Sequence, residues 1–264
     1  MKNLGKILSV IFLIIAVGGI GYLSIGIKAG NAEKIKSITV EGELHLTAQQ
    51  YLNYANLEDK NVYENLPIQM IKDRIEKHPY VNRADVRFDG AGKVLVKITE
   101  KVFDSIVIID SVQYVLTEQL QLLPLIDGTK VVDYPVLSNV FFGSQPKIFS
   151  SQRKNQDILT ASKIISAVRF VNPELEKNFS SIDLQNGGDI LVYLSSTDYP
   201  VMIGRGNEIK KIIYFNNLWE SIKGKEINKY LNYVDLRYGG HVFLGIADST
   251  SGQVKNLDAG QKRS

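Results

Sequence analysis

Apolar and polar residues change their spacing several times along this chain of 264 residues, and the changes mark out its parts. Ile7 to Ile27 carries no charged residue. As a helix, this run is roughly 31 Å long, about the hydrocarbon thickness of a bilayer. From Ile35 the spacing becomes that of a half-buried strand (Ile35, Ile38, Val40), closed by Gly42. Thr47 with Gln50 three residues on has the pattern of a capping box and starts a short helix through Tyr51 and Leu52. Pro67 opens a second helix, with Ile68, Ile71 and Ile75 on one face and Pro79 beyond its end. Two alternating segments, Tyr80 to Asp89 and Lys93 to Lys101, are joined through Gly90 and Gly92 as a hairpin.

From Phe103 the texture is that of short strands. Ser105–Asp110 and Val112–Thr117 are rich in β-branched residues, Leu120–Leu125 is largely apolar, and Tyr134–Leu137 begins another extended piece. A polar loop with Gly143 and Pro146 precedes an amphipathic helix from Asp157 to Val171, which Pro173 ends. Phe179–Leu184, Asp189–Leu194 and Tyr199–Ile203 read as strands, the first two joined by Asn186-Gly187-Gly188. Asn207 caps a helix carrying Ile209, Ile212 and Trp219. Tyr233–Tyr238 and His241–Ile246 form a last hairpin about Gly239-Gly240.

The predicted fold class is α+β. Residues 1–6 are a cytoplasmic tail and 7–27 an N-terminal transmembrane helix. Residues 35–102 are a small strand-helix-helix-strand-strand module. Residues 103–247 are a larger, mainly antiparallel β domain with flanking helices. The tail 248–264, poor in large apolar residues, reads as disordered.

Lys2 and Lys6, with no acid beside them, favour a cytoplasmic N-terminus and an extracytoplasmic C-terminal domain. Gly30-Asn31-Ala32 resembles a signal-peptide cleavage site, but the apolar run is longer than a signal peptide needs and Lys28 separates the two. A formal net charge of +3 with interspersed acids and bases gives no basic stripe for nucleic acid. With no cysteine, disulfides, thiolate metal sites and a cysteine nucleophile are excluded.

Little in the chain suggests catalysis. His45, His78 and His241 lack metal-pair spacing and read as turn or strand-end histidines. Gly204-Arg205-Gly206 lies between strand and helix but lacks a phosphate-binding fingerprint, so a tight turn accounts for it. Glu100-Lys101 reads as a strand end facing water. No Gly-x-Ser-x-Gly elbow occurs, and no cofactor is expected. Arg237-Tyr238 differs, because a final strand is commonly an edge strand, and edge strands can accept a partner's strand. The bland alternative packs Tyr238 on its own sheet and leaves Arg237 to solvent.

Several stretches together resemble the bacterial division proteins of the FtsQ/DivIB family. They are Ile38-Thr39-Val40-Glu41-Gly42, His78-Pro79-Tyr80-Val81, Leu95 to Lys101, Tyr134-Pro135-Val136-Leu137, Val201-Met202-Ile203-Gly204 and Tyr233-Val234-Asp235-Leu236-Arg237-Tyr238. The small module is similar to a POTRA domain. Where the family often has Arg-x-Pro-x-Ala, this chain has Lys101-Val102-Phe103-Asp104-Ser105. The resemblance implies a non-catalytic scaffold anchored in the bilayer through Ile7–Ile27. It implies binding of FtsB/DivIC-like and FtsL-like bitopic partners and an indirect link to septal peptidoglycan synthesis. The implied partner contact runs along the last strand: Arg237 and Tyr238 match the shared motif, and Gly239, Gly240, Val242 and Phe243 are their neighbours on the hairpin. An envelope tether or an export and assembly factor with a POTRA module is the other reading.

Overall fold

The computed structural model describes residues 11–19, 34–130 and 133–246. Residues 11–19 are helical with exposed side chains, and the rest of the Ile7–Ile27 run and the 248–264 tail lie outside the described residues. Among the described residues no helix is long and apolar enough to cross a membrane. The chain divides into two compact units. The first holds residues up to Gly42, Thr47–His78 and Arg83–Ile98; the second holds Glu43–Leu46, Pro79–Asn82 and everything from Thr99.

In the first unit β1 (Ser37–Glu41) is followed by α1 (Ala48–Tyr54), α2 (Lys60–Tyr63) and α3 (Ile68–Glu76), then β2 (Val81–Phe88) and β3 (Lys93–Glu100). The sheet order is β1-β3-β2, with β1 parallel to β3 and Val40 opposite Val96. Thr47 and Gln50 form the capping box in full, each side chain bonded to the other's backbone N–H. Asp59 caps α2, a single turn that the periodicity does not announce. Burial alternates at every residue of β3, placing Val94, Val96 and Ile98 inward, and Ile71 and Ile75 of α3 are fully buried as well. His78 is buried between the rings of Tyr51 and Tyr54, at 4.6 and 4.5 Å between centroids.

The second unit is a nine-stranded sheet. Its strands are β4 (Phe103–Ile109), β5 (Val112–Thr117), β6 (Leu122–Pro124), β7 (Val136–Ser138), β8 (Phe179–Asp183), β9 (Leu191–Leu194), β10 (Val201–Met202), β11 (Leu231–Asp235) and β12 (Phe243–Ile246), in the order β12-β11-β10-β9-β8-β7-β4-β5-β6. Three helices accompany it: α4 (Gln156–Val171), α5 (Pro173–Asn178) and α6 (Glu208–Ile222). The α4 and α6 faces bearing Ile158, Ile164, Val168, Ile212, Phe215 and Trp219 share one core with Val107, Ile182, Val192, Val201 and Val234 of the strands. The opposite sheet face, with Tyr193, Met202 and Tyr233, is half-buried to exposed.

The sheet is more mixed than the strand spacing suggests. Pairs β4–β7, β7–β8 and β10–β11 are parallel. The last two follow from the helices. The chain leaves β7 through α4 and α5 and returns as β8, and leaves β10 through α6 and returns as β11; such crossovers bring the second strand in parallel. The flanking helices are therefore crossover connections. Pro173 ends α4, but it also begins α5, where Asn172 caps through bonds from the N–H groups of Glu174 and Leu175. Asn207 precedes α6 with φ 57° and makes no side-chain cap bond.

Glu100 does not face water. It is buried, accepts from the backbone N–H groups of Leu44 and His45, and pairs with the His45 imidazole. His45 stacks on Phe103 at 3.7 Å between ring centroids, and its Nε2 lies 3.1 Å from the Tyr134 hydroxyl. The alternation of β3 shows this in hindsight: Glu100 falls in phase with Val94, Val96 and Ile98.

A candidate partner-binding edge

A sheet whose order ends in β12 and β6 has two edges, and this protein treats them differently. Along β6 the chain doubles back. Leu122 N–H donates to the Ser150 carbonyl at 3.0 Å, Phe149 N–H to the Leu122 carbonyl at 2.8 Å and Gln152 N–H to the Leu120 carbonyl at 2.7 Å. Gln121 and Ser151 form an antiparallel bridge. The main-chain groups of that edge are thereby covered, a usual defence against unwanted strand pairing. Among the described residues no strand lies beyond β12. Among those residues, its outward N–H and C=O groups face no ladder.

Burial and sterics both shape that open edge. Leu231, Val234 and Asp235 of β11 are buried, whereas Phe243 and Ile246 of β12 are 51% and 62% exposed. The two strands pair antiparallel, Asp235 opposite Phe243 and Tyr233 opposite Gly245, with a register shift between Leu231 and Tyr233. The Tyr233 ring lies across Gly245: a Cβ there would meet Tyr233 Cε1 at 2.3 Å, so a side chain at 245 would displace the ring. The ring shields backbone that a side chain would otherwise cover.

The expected site residues lie mostly off the strands. Strand β11 stops at Asp235, three residues before the end anticipated at Tyr238. Arg237, Tyr238, Gly239, Gly240 and Val242 belong to the connection between β11 and β12, and Phe243 is the first residue of β12. The stop is chemical. Asp235 accepts the Arg237 backbone N–H at 2.9 Å, a local turn that removes Arg237 from the ladder. Tyr238 is 58% exposed, and its ring meets that of Phe243 edge-on at 5.4 Å. The structure brings Tyr238, Val242 and Phe243 together as an exposed apolar group beside the open edge.

Arg237 is exposed but not free. Its guanidinium holds the Asp235 carboxylate, with Nη2 at 2.7 Å, and reaches Asp189 with Nη1 at 2.8 Å. The guanidinium holds the Asp235 carboxyl below the usual carboxylate range, and the two carboxylates drive the arginine's own pKa upward. Sequence reading missed Asp189, Tyr233, Gly245 and Ile246. The Gly187-Gly188 pair before Asp189 marks a turn, but nothing local joins that turn to Arg237.

Comparison with known proteins recognises the small N-terminal module. The family "POTRA domain, FtsQ-type" matches residues 33–101. Over 248 residues the chain is 21% identical to the cell division protein FtsQ of Geotalea daltonii, covering 92% of this chain and 87% of that one. Both matches support an FtsQ/DivIB family protein. The matched POTRA domain spans β1 to β3, and the open edge lies outside it, at the β12 end of the second sheet.

Proposed function

We propose that this protein is a non-catalytic scaffold of the bacterial division complex that binds an FtsB/DivIC-like partner by strand addition on β12, with an FtsL-like protein in the same assembly. The observation that carries this reading is the asymmetry of the sheet. One edge is covered by the protein's own residues 149–151, and the other stays open beside exposed aromatic and aliphatic side chains. An extended partner segment laid along β12 would satisfy the outward backbone groups, and Tyr238, Val242 and Phe243 would select its side chains. Tyrosine and phenylalanine suit this, because each adds a large contact area for few torsions.

In this reading Ile7–Ile27 anchors the chain, the N-terminus is cytoplasmic, and both units work outside the cytoplasm at the septum, linked indirectly to peptidoglycan synthesis. Ile11, Phe12, Leu13, Ile14 and Ile15 each keep half or more of their surface exposed, a surface that a lipid phase would accept.

One experiment joins the parts. A fluorescent fusion at the N-terminus is followed in growing cells depleted of the native protein, carrying either the natural chain or Tyr238→Ala with Phe243→Lys. The natural chain should band at midcell and restore division. The double variant should fail to recruit the FtsB/DivIC-like partner while its purified form melts as before. Uniform peripheral fluorescence with normal division on depletion would refute the division role.

A further inference from the structure

Arg237, Asp235, Asp189 and Gly204 form one device built from three adjacent strands. Asp189 lies just before β9, Gly204 just after β10, and Asp235 ends β11. The arginine stem must cross the end of β10 to carry its guanidinium from Asp235 to Asp189, 48 residues away in sequence. Gly204 provides the passage. A Cβ there would sit 2.8 Å from Arg237 Cγ and 3.5 Å from Asp189 Oδ1, and its φ of +64° suits glycine as well.

The clamp continues toward the open edge. The Arg237 guanidinium carbon lies 5.9 Å from the centroid of the Tyr238 ring, and that ring meets Phe243 on β12. Beyond this contact the connection has little to hold it. Gly239 and Gly240 have open space around them, with Gly240 at φ +78°, and one bond from His241 N–H to the Tyr238 carbonyl closes the turn at 3.2 Å.

We infer that Arg237 is a positioning residue, and that Asp189 and Gly204 belong to the partner site with it: the Asp189–Arg237–Asp235 clamp fixes Tyr238 and the start of β12 in the geometry that a partner strand meets. This rests on the strand-addition reading. In the unbound chain both carboxylates engage the exposed guanidinium, so its charge is already matched within the protein. Fixing the loop before binding lowers the ordering cost that the complex would otherwise carry.

The test uses the full chain in detergent micelles and the purified extracytoplasmic segment of the host's FtsB/DivIC-type protein. Affinity is measured for Asp189→Ala, Arg237→Ala, the pair together, Asp189→Glu and Phe243→Lys. Hydrogen exchange of residues 237–243 is followed in the unbound chains. Asp189→Ala and Arg237→Ala should each weaken binding about tenfold, a change of about 1.4 kcal/mol. The pair should lose no more than Arg237→Ala alone, since Asp189 acts only through the arginine. Asp189→Glu should recover most of the affinity. Exchange at 237–243 should rise in Asp189→Ala while the core around Trp219 keeps its protection. Unchanged exchange in Asp189→Ala overturns the clamp whatever the partner does. Full affinity in Asp189→Ala beside a loss in Arg237→Ala overturns the positioning role and makes Arg237 a direct contact. Full affinity in every variant, Phe243→Lys included, overturns the edge reading itself.

Discussion

Replacing Asp104 by asparagine tests the electrostatics of the larger unit. Asp104 is the residue at which the β4 ladder slips against β5, the register shift lying between Phe103 and Ser105. Its side chain is 2% exposed, and its nearest cation is the Arg169 Nη2 at 3.8 Å, a guanidinium that also serves Glu118 and Glu176 at 3.1 and 2.9 Å. Its Oδ2 has no hydrogen-bond partner among the described residues. Burial pushes the carboxyl up from 3.8 to about 6, against the pull of Arg169. The sign follows from proton binding. Between these two values the folded state holds a proton that the unfolded state has released, so stability rises as pH falls through about 6 and levels off below 3.8. From pH 7.5 to 5 this one group should add about 1.4 kcal/mol, close to tenfold in the unfolding equilibrium. An asparagine side chain takes up no proton in this range and cannot contribute that gain. The assay is urea unfolding followed by the fluorescence of Trp219, the chain's one tryptophan and a member of the second unit's core, so the signal reports that unit. The quantity compared is the difference between natural and Asp104→Asn chains, which cancels the other carboxylates. A difference that stays flat from pH 5 to 7.5 would refute the reasoning.

Other substitutions probe other contacts. Gly245→Ala should drive the exposed Tyr233 ring off β12 and lower stability by about 0.2–1 kcal/mol, the worth of a cross-strand pair; an unchanged melting temperature would contradict the packing described. His45→Ala deprives the buried Glu100 of its imidazole partner and should cost about 1–3 kcal/mol, again read from Trp219 unfolding, and a neutral result would make the pair incidental. Thr47→Ala removes the α1 cap and should cost about 1 kcal/mol, with Thr47→Ser close to neutral. A protease confined to the outer face of intact cells should digest the chain beyond residue 34, and a protected C-terminal unit would reverse the orientation.

Much of the first unit was readable along the chain because its determinants are local. The Thr47–Gln50 capping box, the Ile71 and Ile75 stripe and the strict alternation of β3 each act over a few residues, and each appears where expected. The single turn α2 was not readable, since four residues are too few to show a period. In the second unit the strands and both long helices were legible, but the parallel pairings were not. Parallelism is a property of which strand the returning chain sits beside, and no side-chain pattern within one strand carries it.

The site divides in the same way. Sequence alone marked the hairpin from Arg237 to Phe243 as the place to look, through Arg237-Tyr238 in a final strand expected at an edge and the family resemblance of that motif. It also determined the apolar run at the front, the absence of cysteine chemistry and the POTRA order of elements, because composition and short-range spacing are sufficient for each. Only the tertiary structure decided that, among the described residues, one sheet edge is covered and the other open, that Glu100 is buried against His45, and that Arg237 is held by a carboxylate 48 residues away. The physical reason is common to all three. Each depends on which distant segments the packed core brings side by side, and a charged residue's role is set by the partners that packing delivers to it.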